Sequence, residues 1–202
     1  MTERLNARPD ALARAREIAL RIAERVAADD GVTITMLGAV LWMADTTAWA
    51  ELGRPLTGIS YRNAGKGPEP ELMSAIELEL LQHQAAQLLL DGNAAVRLKA
   101  RRPARMERFS AEERSVIDRC ADTAAHAEST DPAAFLRTNR WALAPVNSLI
   151  PYEAIFVSRA GADPADIDRT GQLVAEGSCS RAGAPPMPTP KRAKTVAESK
   201  VR

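Results

Sequence analysis

Met36–Pro70, MLGAVLWMADTTAWAELGRPLTGISYRNAGKGPEP, is the stretch on which the reading of the fold turns. From Met36 to Ala44 nearly every face is apolar or small, the pattern of a helix buried centrally rather than laid on a surface. Thr33 or Thr35 can cap it, and it is expected to run to about Leu52. Leu37, Leu41, Ala44, Ala48 and Leu52 form one stripe, which Met36, Val40 and Met43 widen. Gly53-Arg54-Pro55 then stops the helix, because glycine tolerates the left-handed cap and proline cannot continue. Leu56–Arg62 has strand character and Asn63–Pro70 is rich in turn residues. Gly65-Lys66-Gly67 is too short for a phosphate loop and lacks its Gly-Lys-Ser/Thr ending, so it serves backbone turning.

Three side chains within the stretch stand out. Trp42 and Trp49 are seven apart and share a helix face. They read either as core or rim residues or, because aromatics are only 4% of the chain, as anchors for a partner. Asp45 is an acid set in an apolar helix, more often a structural hydrogen-bond acceptor than a catalyst.

Before this stretch, Pro9–Ala28 reads as an amphipathic helix. Leu12, Ala15, Ile18, Ala19, Ile22 and Val26 lie on one face. Arg14, Arg16, Arg21 and Arg25 take the others, interleaved with Glu17 and Glu24 as on a solvated surface. Asp29-Asp30-Gly31 ends the helix. After the stretch, Pro70 can open a third helix reaching about Leu90, with Leu72, Met73, Ile76 and Leu80 inward. Asp91-Gly92-Asn93 breaks the chain before a short strand in Ala95–Ala100. Arg101, Arg102, Arg105 and Arg108 crowd the next loop, either solvated or facing an acidic partner. Phe109 and Ser110-Ala-Glu-Glu113 supply a hydrophobic staple and a capping box for a helix burying Val116, Ile117, Cys120, Ala121 and Ala124. Asp131-Pro132 signals a shorter helix through Arg140. Trp141–Leu149 is loop-like, and Pro151 suits the first position of another helix. Asp163-Pro164 opens one more possible helix, to about Glu176. From Arg181 onward a basic, Pro/Lys-rich tail is expected to be disordered.

These elements predict a mainly α fold with a minor β element. The expectation is a compact helical domain over 9–160 carrying a short hairpin-like piece, an appended helix and linker over 161–180, and a disordered tail over 181–202. The 202 residues are 46% hydrophobic, enough for a core built from aliphatic side chains. A net charge of +1 gives no global reason to expect nucleic acid or a membrane surface as partner. Residues 1–30 carry charges throughout, unlike a signal peptide, and no apolar run approaches the roughly 20 residues of a membrane span. A cytoplasmic location is expected. Two distant cysteines, Cys120 and Cys179, make no disulfide framework. His83 and His126 have no second ligand at helical spacing, so no metal, cofactor or catalytic residue is nominated. Metalloprotease, nucleophile-elbow, Walker and dinucleotide-binding signatures are all missing from the sequence, and an enzyme is not expected.

Taken in order, several pieces resemble the Panacea domain, the SocA-like family of antitoxin-associated proteins. They are Leu41-Trp42-Met43-Ala44-Asp45; Gly53-Arg-Pro-Leu-Thr-Gly58; Tyr61; and Gly67-Pro68 with Pro70. Val96–Leu98, Phe109-Ser110 with Glu112 and Glu113, and Ile150-Pro-Tyr-Glu153 with Ser158 follow in the same order. The resemblance covers roughly residues 15–158. Ile59 stands where the family often has aspartate, and Lys66 where it often has an aromatic residue. The lysine usual early in the central helix is missing from Met36–Val40. The resemblance implies a compact, mostly helical fold and a protein-binding role. Its expected partners are a cognate toxin neutralised by direct contact and an ATP-dependent protease to which the toxin is handed. The expected partner surface comprises Trp42, Asp45, Trp49, Arg54, Tyr61 and Lys66. The alternatives are a DNA-binding transcriptional regulator, using the N-terminal helices and basic tail, and a phage- or prophage-associated protein without antitoxin activity.

Overall fold

The computed structural model describes residues 10–26, 30–90, 92, 95–130 and 140–152. Among them the fold is mainly α with a minor β element, as the sequence predicts. Helix α1 spans Ala11–Val26, α2 Ile34–Leu52, α3 Met73–Gln82 and α4 Ala111–Thr130. Strand β1 (Val32–Thr33) leads into α2, β2 (Tyr61–Asn63) and β3 (Pro68–Pro70) form a hairpin, and β4 (Ala86–Leu90) and β5 (Val96–Ala100) form another. The larger sheet has the order β1-β5-β4, antiparallel throughout. The segments expected at 131–139, 163–176 and 181–202 lie outside the described residues.

Helix α2 is the centre of the molecule. Met36, Leu37, Ala39, Val40, Leu41, Trp42, Ala44 and Ala48 are all buried, so its apolar character on every side is consumed by contacts on every side. Thr33 caps it, accepting from the Met36 amide at 3.2 Å, and Gly53 closes it in the left-handed region at φ 73°. Gly38 lets the β2–β3 hairpin approach, since a Cβ there would sit 2.5 Å from the Pro68 carbonyl oxygen. α1 lays Ala15, Ile18, Ala19, Ile22 and Val26 into the same core, and α4 adds Val116, Ile117, Cys120, Ala121 and Ala124, matching both expected faces.

Two boundaries differ from the sequence reading. Leu56–Ser60 is an irregular loop, and regular pairing begins only at Tyr61. The third helix begins at Met73 and ends at Gln82, while Pro70 is the last residue of β3, opposite Tyr61. Gln84, at φ 50°, turns the chain, and Ala86–Leu90 becomes a strand held against Val96–Ala100. An apolar run of this length fits either a helix end or a strand, and a partner across a hairpin decides for the strand.

The close approach at Gly38 gives a direct test. Gly38→Ala is expected to destabilise the fold by about 1–3 kcal/mol, because the added methyl meets backbone rather than a movable side chain. A denaturant midpoint lowered at unchanged slope would register it.

Candidate functional site

Asp45 is completely enclosed on the fourth turn of α2, and its carboxylate gathers donors from three distant segments. The Thr57 amide donates to Oδ1 at 2.7 Å, and the Thr57 hydroxyl donates to Oδ2. The Tyr61 hydroxyl reaches Oδ2 at 2.8 Å, and the Tyr152 hydroxyl lies 3.1 Å from the same atom. The Gly53-Arg54-Pro55-Leu56-Thr57-Gly58 turn brings Thr57 to the site. β2 brings Tyr61. Tyr152 arrives because Asn147–Ile150 runs back along the other side of β2, where the Ile150 amide donates to Tyr61 O at 2.8 Å. Trp42 packs against Tyr61 and Tyr152 with ring centroids 5.3 and 5.5 Å apart, and Trp49 meets Tyr152 edge-on at 5.4 Å.

Among the described residues no cation belongs to this network. Burial pushes the Asp45 pKa up, and the Thr57, Tyr61 and Tyr152 hydrogen bonds only partly offset it. Burial, and then the neighbouring carboxylate, push both tyrosines up as well. Tyr152 has one hydroxyl proton and two acceptors, Ile59 O at 2.8 Å and Asp45 Oδ2. That proton is divided between them, so Tyr152 holds the carboxylate less closely than Thr57 and Tyr61 do. The network stores structure rather than a reactive group: both carboxylate oxygens of Asp45 are hydrogen-bonded and the residue is buried.

A second buried polar system joins α1 to the chain beyond β5. Glu17, 0% exposed, accepts from Arg102 Nη1 and Nη2 at 2.9 and 2.7 Å, from the Arg105 amide at 2.8 Å and from Arg16 Nε at 3.2 Å. Burial raises its pKa, but these donors outweigh it and the carboxyl sits below its usual value. Arg14, 3% exposed, donates to Leu56 O at 2.6 Å, stacks its guanidinium 4.4 Å from the Phe109 ring centroid, and lies 2.9 Å from Glu113 Oε1. That last contact compensates charge without the alignment of a hydrogen bond. Glu113 also closes the capping box, accepting from the Ser110 amide at 3.0 Å while its own amide donates to Ser110 Oγ at 3.2 Å. Its pKa, raised by burial, is pulled below normal by the Ser110 amide, Arg14 and Arg54.

The expected solvated arginine face on α1 is therefore corrected. Arg14 is interior, Arg16 pairs with Glu79, Arg21 with Asp118 and Arg25 with Asp122. Arg102, expected to be either solvated or facing an acidic partner, instead pairs with this chain's own buried Glu17. Three of the residues expected on a partner surface, Trp42, Asp45 and Tyr61, are interior and meet one another. Trp49 is half-buried against Tyr152, Arg54 is exposed and pairs with Glu113 at 3.2 Å, and Lys66 is exposed at the β2–β3 turn. Thr57, Tyr152 and Glu17 were not singled out as site residues, although the first two lie inside the family-like motifs. Cys120 is buried beside Thr47, and burial pushes its thiol up to about 11, as expected of an unreactive core cysteine. His83 is exposed at the end of α3. Among the described residues no group of three or more His, Cys, Asp or Glu is placed to hold a metal ion, and no helix is long and apolar enough to cross a membrane.

No protein-family model matches the chain, and no curated protein or solved structure matches it either.

Removing the Asp45 acceptor strands several buried donors at about 1–3 kcal/mol each, so Asp45→Ala is expected to cost about 4 kcal/mol or more. Asp45→Asn, which keeps shape and an acceptor, costs much less. Because the folded pKa is raised above 3.8, Asp45 contributes stability that is full below that value and lost as pH rises through the folded pKa. Wild type should accordingly gain on Asp45→Asn as pH falls through that window, read from melting curves.

Glu17 and Glu113 act in the opposite sense. Their folded pKa values lie below 4.5, so their stabilisation is present above 4.5 and disappears as pH falls through the folded values. Glu17→Gln with Glu113→Gln should flatten the acid limb of the stability profile while lowering stability at pH 7.

Proposed function

We propose that this chain is a protein-binding module rather than an enzyme. In this reading it is the antitoxin of a bacterial toxin–antitoxin pair, neutralising its toxin by direct contact and acting as an adaptor that hands the toxin to an ATP-dependent protease. One observation carries the reading. Four of the ordered pieces that resemble the Panacea domain, far apart in sequence, converge on the Asp45 network through Asp45 itself, Thr57, Tyr61 and Tyr152. A pattern spent on holding the chain together behaves as a fold signature, which supports the resemblance and leaves recognition to the surface around it. That surface offers Lys66 at the β2–β3 turn together with exposed Val146 and Leu149, which border the same hairpin. Exposed apolar side chains beside the Lys66 cation suit a protein partner with an apolar patch and an acidic rim.

The DNA-binding alternative is weaker on the same grounds. Arg14, Arg16, Arg21 and Arg25 are each engaged by carboxylates of this chain, so α1 has little charge to offer a phosphate backbone. A cytoplasmic location follows from the antitoxin role.

The gene adjacent to that of this protein is expected to arrest growth when expressed alone and to be tolerated on co-expression. The two products should co-purify. Val146→Asp with Leu149→Asp should abolish rescue and co-purification without lowering the melting temperature by more than a few degrees. A neighbouring product that is neither toxic nor bound would defeat the antitoxin reading.

A further inference from the structure

The loop that follows β5 carries charge that the fold positions and does not use. Residues Arg101–Arg108 hold four arginines and one acid, Glu107. The arginines of α1 are spent inside the chain, and so is Arg102, which is bound to Glu17. Arg101, Arg105 and Arg108 are exposed, and among the described residues no carboxylate pairs with any of them. Arg101 Nε donates to Gln87 Oε1 at 2.9 Å, a neutral partner that leaves its charge uncompensated.

The loop is irregular, yet its main chain is fixed. Glu17, enclosed on α1, accepts from the Arg105 amide at 2.8 Å, and Glu24 accepts from the Ala104 amide at 2.6 Å. Arg14 reaches the Arg108 carbonyl oxygen at 3.3 Å. Two carboxylates and one guanidinium of α1 thus hold both ends of the one-turn 3-10 helix Met106–Arg108. Met106 and Phe109, three apart, turn toward the core. Arg105 and Arg108, also three apart, leave on the outer side, because residues at that spacing eclipse in a 3-10 turn. A ligand meeting these arginines does not have to order the main chain beneath them.

We propose that this loop docks an acidic segment of a protein partner, with Arg105 and Arg108 each gripping a carboxylate and Arg101 adding a third contact. The planar guanidinium fork matches a carboxylate through paired hydrogen bonds. A nucleic-acid backbone carries charge of the same sign, but its binding grows with the number of phosphates neutralised. Three cations interrupted by Glu107, on a chain of net charge +1, suit a short acidic stretch better than a polyanion. The inference rests on the reading of this chain as a protein-binding module. It adds a contact made by residues other than Lys66, Val146 and Leu149, and it does not require the partner to be a toxin.

The probe is a short fluorescein-labelled peptide with glutamate at alternate positions, titrated with the full chain at low salt and followed by anisotropy. Single-stranded DNA of equal charge is titrated in parallel. A Kd on the order of 100 µM is expected for the peptide, weakening as salt screens the pairs. Arg105→Gln with Arg108→Gln should weaken it about tenfold or more while keeping the wild-type circular dichroism spectrum and melting temperature. Arg105→Lys with Arg108→Lys, which keeps the charge and loses the fork, should weaken it about threefold or more. Lys191→Gln with Lys194→Gln, in the basic tail, should leave it within about twofold. No peptide binding by about 1 mM would overturn the inference. So would an affinity that follows the tail and ignores Arg105 and Arg108, a lysine pair as tight as wild type, or tighter binding of the DNA through the same arginines. Growth rescue and co-purification decide the antitoxin reading separately, since a bound peptide is compatible with a failed rescue and a successful rescue with an unbound peptide.

Discussion

A carboxylate cannot be enclosed in an aliphatic core without donors, and this constraint on Asp45 arranges much of the molecule. α2 carries too few polar groups to satisfy it locally. The donors come from the loop after the helix, from β2, and from a tyrosine more than a hundred residues away. Each can reach only if its own segment is placed: the loop must turn at Gly53, the hairpin must close on Gly38, and the chain must return along β2. The hydrophobic core could tolerate several arrangements of the same apolar surfaces. The Asp45 network tolerates far fewer, and it selects among them.

The Arg14, Glu17 and Glu113 system applies the same logic along α1, with charge in place of neutral hydroxyls. Removing water from these ions costs energy that their mutual attraction roughly repays, so their contribution is register more than net stability. Arg14 ties α1 to the loop at Leu56 and to the start of α4, and Glu17 ties it to the chain leaving β5. Leu56 and Thr57 are neighbours in sequence. The loop between α2 and β2 is thus held from both sides, its Leu56 carbonyl by Arg14 and its Thr57 by Asp45. An irregular segment with buried polar atoms on each flank is as constrained as a strand.

What the sequence disclosed follows the range of the forces involved. Helix faces, the Thr33 and Gly53 caps and the Ser110–Glu113 capping box depend on residues three or four apart, and each is legible in a local window. β4 was not, because Ala86–Leu90 is a strand only by virtue of Val96–Ala100. The arginines of α1 were read as solvated because a local window cannot contain Asp118, Asp122 or Glu79. At the candidate site, Asp45 and Trp42 stand out by rarity in their surroundings and Tyr61 through the resemblance, and each is a sign of importance and not of exposure. A buried acid with distant donors and a surface acid awaiting a partner look alike in one dimension.

Two of the three departures from the pattern that the sequence resembles, Ile59 and Lys66, therefore have different physical meanings. Ile59 is interior, its carbonyl accepts from Tyr152, and its side chain belongs to the core beside the Asp45 network. An aspartate there would set a second carboxylate near the first in the same dry surroundings. A chain carrying it must supply another donor or displace the loop toward water. Isoleucine relieves that demand and lets the loop close on apolar contacts, a change in how the scaffold is stabilised. Lys66 sits on the solvent side of the hairpin, where no buried group depends on it. A flexible cation there in place of a flat apolar ring leaves the fold alone and makes the exposed face of the hairpin basic rather than apolar. A substitution at the hairpin tip therefore changes the surface without cost to the fold, whereas one at position 59 changes the fold's own support.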